Sequence, residues 1–480
     1  MKFFELFHHY EKNVDYRGFG VDIVFGLAYN TNETIQYNIL EPIETAKDSY
    51  AARYRHRKDE NNMKTRAVRL YGKEDLRLEE FELPAIKDDE ILARVVSDSI
   101  CMSSFKAAEQ GADHKRVPNN VAENPVIIGH EFCGEIVEVG AKWQSQFKVG
   151  QKFAIQPALN YKGSLDAPGY SYQYIGGDAT YIIIPHEVME MGCLLPYEAD
   201  SFFGGSLTEP LSCVIGTFHA MYHTVRGSYD HVMGIKEGGS MAILAGVGPM
   251  GLAAIDYIIH CDRRPGFLVV TDIDDARLAR AEKLLSPEEA KKNGVTLVYK
   301  NTREGDPVAE LKELNGGKGY DDVLCFAPVA AVVQQADALL GDDGCLNFFA
   351  GPQDPKFSAM FNFYNVHYAS THVVGTSGGN TADMIEALEM IGQGKLDPSI
   401  LVTHIGGLNA VIETTLNLPK VPGGKKLIYT GIEMPLTAIA DFEEKGKTDP
   451  MYAELAKLVA KTNGLWNAEA EAYLLKTLTK

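Results

Sequence analysis

Ser240-Met241-Ala242-Ile243-Leu244-Ala245, then Gly246-Val247-Gly248-Pro249-Met250-Gly251, then Leu252–Ile259 reads as an apolar strand, a glycine turn and an apolar helix. Gly-x-Gly-x-x-Gly alone is a weak signal; directly after a strand and opening a helix, it has the context that a dinucleotide site requires. Gly246, Gly248 and Gly251 allow a tight turn, Pro249 and Met250 start the helix, and the helix N-terminus presents N–H groups to a pyrophosphate. A second strand, Phe267–Thr271, ends at Asp272, whose carboxylate can accept hydrogen bonds from the adenosine ribose and would repel a 2′-phosphate. This favours NAD(H) over NADP(H), and the nearby Arg277 softens that preference. A helix over Ala276–Leu285, strands at Thr296–Tyr299, Val323–Phe326 and Leu346–Ala350, and a helix over Val329–Leu340 complete an alternation that predicts a parallel sheet.

Upstream, the pattern changes to short strands between Gly, Pro and Asp breaks, at Leu92–Val96, Gly134–Val139 and Thr180–Ile184. Within this mostly β region stand Cys101 and Gly129-His130-Glu131, and later Glu209 in Leu207-Thr208-Glu209-Pro210-Leu211. A thiolate, an imidazole and a carboxylate suit zinc, and a catalytic zinc takes three protein ligands and keeps one open position. Cys101, His130, Glu131 and Glu209 are therefore the metal-site candidates, with Glu131 and Glu209 both open as the third ligand. Each alone has an ordinary reading as a core thiol, a turn histidine or a surface acid; the set is more specific.

At 480 residues the chain exceeds one small core. Its net charge of −19 argues against phosphate-backbone binding, so no nucleic-acid partner is expected. No run of apolar residues is long enough to span a membrane, and no secretion signal opens the chain. Seven scattered cysteines without a Cys-x-x-Cys pair fit a reducing cytoplasm. Residues 1–62 read as an appendage of unknown role, and Met63 as a natural start before a first strand. The tail from 435 is charged and then helical, with Asp449-Pro450 as a cap, Tyr452, Leu455, Leu458 and Val459 on one face, and Asn467 capping a last helix.

Cys101, Gly129-His130-Glu131 with Gly134 and Gly140, Gly150-Gln151-Lys152, Ala179-Thr180-Tyr181, the glycine turn and Asp272 together resemble the zinc-dependent medium-chain dehydrogenase/reductase family. Glu209 in Glu-Pro-Leu-Ser looks like the polyol-dehydrogenase branch, and Cys101–Lys106 with Gln110–Lys115 resembles the L-sorbose 1-phosphate reductase group. The resemblance implies an α/β protein of two domains, a mostly β GroES-like catalytic domain and a Rossmann doubly wound nucleotide-binding domain. The implied boundaries are an extension at 1–62, the catalytic domain at 63–212, the nucleotide domain at 213–372, a return segment at 373–434 and the tail at 435–480. The implied reaction is hydride transfer between a nicotinamide cofactor and a polyol or ketose, or a ketose 1-phosphate. Ser103 is the candidate for the first hydrogen bond to the substrate oxygen; Lys106 would continue the proton path or bind a phosphate, with His114, Lys115 and Arg116 as further basic candidates.

Two departures stand out. No cysteine occurs from 151 to 192, where many members hold a structural zinc, so one catalytic zinc per chain is expected. Ser104 and Lys106 replace an Asp and a His of the proton relay in relatives. Pairing through the nucleotide domains, as a homodimer or homotetramer, is expected by resemblance. The alternatives are a zinc-free quinone or enone reductase of the same plan, which would not need the three metal donors, and a non-catalytic nucleotide-binding protein.

Overall fold

The C-terminal ends of six parallel strands and one end of a second, mostly antiparallel sheet position the metal and dinucleotide candidates. The computed structural model describes residues 63–225 and 227–479; the expectation for residues 1–62 lies outside them. The strands are β1 (Lys64–Gly72), β2 (Asp75–Glu82), β3 (Ile91–Ile100), β4 (Val126–Ile127), β5 (Phe132–Val139), β6 (Lys152–Ile155), β7 (Tyr181–Ile184) and β8 (Leu194–Pro196). They continue with β9 (Tyr222–Thr224), β10 (His231–Met233), β11 (Ser240–Leu244), β12 (Phe267–Asp272), β13 (Thr296–Asn301), β14 (Tyr320–Cys325), β15 (Leu340–Phe348) and β16 (His372–Val374). The last are β17 (Val402–Gly407), β18 (Lys425–Tyr429) and β19 (Thr437–Ala438).

β11 to β16 form a six-stranded sheet in the order β13-β12-β11-β14-β15-β16, with every neighbouring pair parallel. The chain order reverses between β11 and β14, the switch point where doubly wound sheets bind nucleotides. β11 is buried at every position, as a central strand covered by helices on both faces must be.

β3 is the spine of the other sheet, ordered β19-β17-β18-β3-β5-β6-β8 with β7 also on β3. β3 pairs antiparallel with β5, placing Asp98 opposite Phe132. The residues that follow β3 therefore meet those that precede β5. β18 pairs antiparallel with β3 through Lys426 opposite Ile100, which brings Lys425 to the same end. The return segment thus rebuilds the first sheet after the parallel one is complete.

Helix α1 (Met102–Gln110) leaves β3 immediately. α2 (Thr208–Ala220) leads toward the parallel sheet, and α3 (Pro249–His260) and α4 (Asp275–Leu284) are crossovers. α5 (Thr381–Gly392) carries a capping box, with Asn380 and Asp383 each bonding the other's backbone N–H. In the tail, α6 (Pro450–Ala460) is capped by Asp449 and α7 (Ala468–Leu478) by Asn467. Tyr452, Leu455, Val459, Trp466 and Leu474 are buried in the same hydrophobic cluster as Leu427 and Tyr429 of β18. Glu471 accepts bonds from the Phe202 and Phe203 amides and from the Tyr429 hydroxyl, so the tail closes the core beside the central strands.

Candidate metal centre and dinucleotide site

Cys101 is the N-cap residue of α1, and its side chain makes no capping bond. Opposite it, Gly129 adopts φ +90°; a Cβ there would lie 2.7 Å from the Asp178 amide nitrogen and 2.9 Å from Asp98 Oδ2. Only glycine fits that turn, and it presents His130 and Glu131 toward Cys101. One donor atom from each of Cys101, His130 and Glu131 lies within 4.8 Å of the others. His130 and Glu131 are buried, while Cys101 is partly open.

The surroundings fix each donor. Ser104 Oγ lies 3.2 Å from His130 Nδ1 and the Tyr170 hydroxyl 3.2 Å from Nε2. A metal taking one ring nitrogen leaves a hydroxyl at the other to orient the ring. Burial holds His130 below the usual histidine range, which keeps the imidazole neutral and able to ligate. Burial raises the Cys101 thiol despite the nearby Lys425 ammonium, so a divalent cation is the missing charge that would make it a thiolate. Ser103 Oγ lies 3.6 Å from Cys101 Sγ, on the exposed side of the cluster.

The two carboxylates differ. Both oxygens of Glu131 accept from Lys425 Nζ, and Oε2 also accepts from Ser99 Oγ at 2.6 Å. Burial would raise its pKa, but Lys425 and His130 outweigh that and hold it below the ordinary value. Glu209, in the first turn of α2, has among the described residues only the Cys213 thiol, at 3.6 Å, on its carboxylate. Burial and the neighbouring Glu131 push it up to about 7. Behind the turn, Asp98 Oδ1 accepts from the Glu131 amide, and Asp98 and Asp178 form a buried carboxyl pair, both raised by desolvation.

Of the basic candidates, Lys106, His114 and Lys115 line one cleft with Glu109, Gln110 and Asp113, across from Pro352 and Gln353 of the loop after β15. Arg116 does not line it; its guanidinium donates to the Leu165 carbonyl and lies 5.8 Å from the Tyr170 ring centroid.

In the nucleotide half, Gly248 is the N-cap of α3 and Pro249 fills its first turn, with no side chain capping the free amides. A Cβ on Gly251 would lie 2.1 Å from the Gly246 carbonyl oxygen, so the helix sits against the turn as closely as glycine permits. Asp272 ends β12 almost fully buried, its Oδ1 held by the Ile273 and Asp274 amides at 2.8 and 3.1 Å. Arg277 Nη1 lies 3.6 Å from Asp272 Oδ2, and Nη2 is 3.4 Å from where a Cβ of Gly248 would be. Met250 packs against the hydrophobic cluster under α3. A buried sulfur, nitrogen and oxygen donor set fits zinc, and the uncapped glycine cradle fits a pyrophosphate.

A zinc-binding dehydrogenase model matches residues 249–393, and an alcohol dehydrogenase GroES-like domain model matches 87–192. The chain belongs to the zinc-binding alcohol dehydrogenase family. It is 54% identical over 413 residues to a mannitol-1-phosphate 5-dehydrogenase of Aliivibrio fischeri, covering 86% of this chain and 97% of that protein. It is also 54% identical over 411 residues to an L-sorbose 1-phosphate reductase of Klebsiella pneumoniae, with the same coverage. Its fold matches a 2R,3R-butanediol dehydrogenase from Bacillus subtilis with a TM-score of 0.60 at 23% identity, covering 76% of this chain and 99% of that one. The chain is thus an oxidoreductase of the two-domain α/β plan, a zinc- and nicotinamide-dependent dehydrogenase.

The residue types at the site were visible in the sequence, but Tyr170, Ser99 and Lys425 were not expected there. Lys425 carries no motif; only the pairing of β18 with β3 brings it to Glu131. Tyr170 sits in a turn-rich stretch and gives no signal before the fold places its hydroxyl on His130.

Proposed function

We propose that this enzyme interconverts a secondary alcohol of a phosphorylated polyol with the ketone of the corresponding ketose phosphate. The observation that carries this is the convergence of the Cys101, His130 and Glu131 donors at the end of β3, joined to a glycine cradle for a dinucleotide. The names of the two relatives supply the substrate class. A bound zinc supplies Lewis acidity at the substrate oxygen, and the nicotinamide carries the hydride.

Cys101, His130 and Glu209 are our ligand set. Glu131 already has partners in Lys425 and Ser99, whereas Glu209, which stands outside the three donors that lie within 4.8 Å of one another, has a weak thiol partner, so a cation gains most by drawing in Glu209. Glu131 then holds Lys425 and the turn in place. Ser103 makes the first hydrogen bond to the substrate oxygen and carries its proton. Ser104 orients His130 through the contact at Nδ1. Lys106 faces the cleft, which supports a role in substrate binding over proton transfer. We keep one zinc per chain. Asp272 favours NAD(H), and Arg277 beside it leaves NADP(H) as the weaker cofactor.

Cys101→Ser or His130→Ala should abolish turnover of ketose phosphates with NADH while NADH still binds, as followed by its fluorescence. Retention of most activity in either variant would end the zinc proposal.

A cytoplasmic location is supported by seven unpaired thiols. No helix among the described residues is long and apolar enough to cross a membrane. We also propose a homodimer through the edge strand β16, because its neighbours Met360, Phe363, Tyr364 and Tyr368 are all exposed apolar or aromatic residues.

A further inference from the structure

Tyr170 closes the turn Ala167-Pro168-Gly169-Tyr170, its amide donating to the Ala167 carbonyl at 3.1 Å. Gly169 has φ +78°, and a Cβ on it would lie 2.0 Å from the Gly129 carbonyl oxygen and 3.0 Å from His130 Cβ. This turn therefore sits on the Gly129-His130-Glu131 turn at a distance that only glycine allows. The Tyr170 ring is 6% exposed; its centroid is 4.8 Å from that of His130 and 5.8 Å from that of His114, which it stacks on at 12°. A ring packed against two imidazoles on a pinned turn has little freedom to move its hydroxyl elsewhere.

That hydroxyl stands among the metal donors. It lies 3.2 Å from His130 Nε2, and it hydrogen-bonds with Ser103, whose Oγ is 3.6 Å from Cys101 Sγ. Burial first, and then Cys101 and Glu209, hold the phenol well above its ordinary range, so it stays a neutral O–H donor. The other ring nitrogen, Nδ1, faces Ser104 at 3.2 Å, inside α1, where Ser104 is buried. Nε2 is thus on the side of Cys101, Ser103 and Glu209, and Nδ1 is held from behind. A neutral imidazole offers one lone pair to a metal, so a metal on Nε2 displaces the Tyr170 hydroxyl from that nitrogen. The displaced hydroxyl is still buried, and a buried donor without an acceptor is costly. The acceptor that the reaction brings to this place is the oxygen at the open position of the metal.

We infer that Tyr170 is a further catalytic residue: when the metal binds, its hydroxyl leaves His130 Nε2 and joins Ser103 at the substrate oxygen, while Ser104 stays on Nδ1 as the positioning residue. This rests on the function proposed above and adds a second hydroxyl at the reacting oxygen. A ketone oxygen gains negative charge as hydride reaches its carbon, and a donor already aimed there binds that charge more strongly than it binds the ketone, which raises kcat. The proton that completes the alcohol passes through Ser103, so Tyr170 keeps its own.

Tyr170→Phe tests this, because it keeps the ring that packs on His130 and His114 and removes only the hydroxyl. Zinc affinity, measured by chelator competition, comes first. Ser104→Ala should loosen zinc by about tenfold or more, as loss of a group that orients a ligand does, whereas Tyr170→Phe should bind zinc no more than about twofold looser than wild type. A loosening in Tyr170→Phe equal to that in Ser104→Ala would make Tyr170 a support of His130 and overturn the inference. The cobalt-substituted enzyme with NAD+ then reads the contact from its visible spectrum. Trifluoroethanol, an acidic alcohol that binds metals through oxygen, should bind about tenfold more weakly to Tyr170→Phe, the worth of one charge-assisted hydrogen bond. Imidazole, which presents no oxygen to the phenol, should bind both proteins alike. Equal trifluoroethanol affinities, or equal weakening of both probes, would overturn the inference. In turnover of L-sorbose 1-phosphate or fructose 6-phosphate with NADH, Tyr170→Phe should lose about ten- to a hundredfold, in kcat more than in KM. A kcat within about twofold of wild type would overturn it as well. If neither sugar turns over, the proposed reaction fails while the cobalt spectra still decide the Tyr170 contact. A wild type that takes up no cobalt would end the metal centre, and this inference with it.

Discussion

At the scale of the residue, the site is decided by how two carboxylates are partnered. Glu131 and Lys425 form a buried ion pair, and removing one partner leaves the other charged and unpaired. Lys425→Met should therefore cost about 3–5 kcal/mol of stability in denaturant unfolding, whereas Glu209→Gln, which leaves no buried charge, should cost little stability and most of the zinc affinity. We propose that Asp272 acts on cofactor choice: on this reading Asp272→Ala should shift the NAD(H)-to-NADP(H) ratio of kcat/KM toward NADP(H) by about tenfold or more, because it would remove the acceptor proposed for the ribose hydroxyls and leave Arg277 unopposed. An unchanged ratio would show that Asp272 does not face the ribose. These residues could be named from the sequence because each lies in a motif with fixed spacing. Lys425, Ser99 and Tyr170 could not, because their places follow from strand register and loop path.

At the scale of the element, hydrophobic period and glycine punctuation told most of the story. β11, the turn and α3 appear where the apolar runs and Gly246–Gly251 put them. β15 differs: it begins at Leu340, not 346. Gly341-Asp342-Asp343-Gly344 reads as a turn, but the Asp343 carboxylate accepts from the Thr224 amide and hydroxyl, which ties the segment to β9 and lets it run on as a strand with an irregular register against β14. α2 and α5 are joined by His219, which meets Asp383 at 2.7 Å and Glu386 at 3.2 Å. Asp383 first and then Glu386 raise His219 to about 9. A raised histidine stabilises the fold fully below its unfolded pKa of about 6.5, and that contribution is lost as pH rises through about 9. His219 is 47% exposed, so the effect is small, under about 1 kcal/mol. The melting temperature of wild type should exceed that of His219→Gln near pH 6, and the gap should close by about pH 10. A gap that widens with pH would contradict the assignment.

At the scale of the whole molecule, one sheet positions the proposed metal donors, the other the glycine turn proposed for the dinucleotide, and the cleft beside α1 takes lining from both halves. The tail belongs to this arrangement, because Glu471 and Trp466 bind Tyr429 on β18, the strand that also carries Lys425. The exposed cluster at β16 predicts a dimer in sedimentation velocity that Val373→Lys and Tyr368→Lys together convert to monomer; a wild-type monomer would contradict the edge pairing. The most direct test of the central claim is anomalous diffraction at the zinc edge from crystals of the purified enzyme. We predict one zinc per chain, bonded to Cys101 and His130 with Glu209 as its carboxylate ligand. A zinc absent from that place, or bound away from Cys101 and His130, would contradict the account.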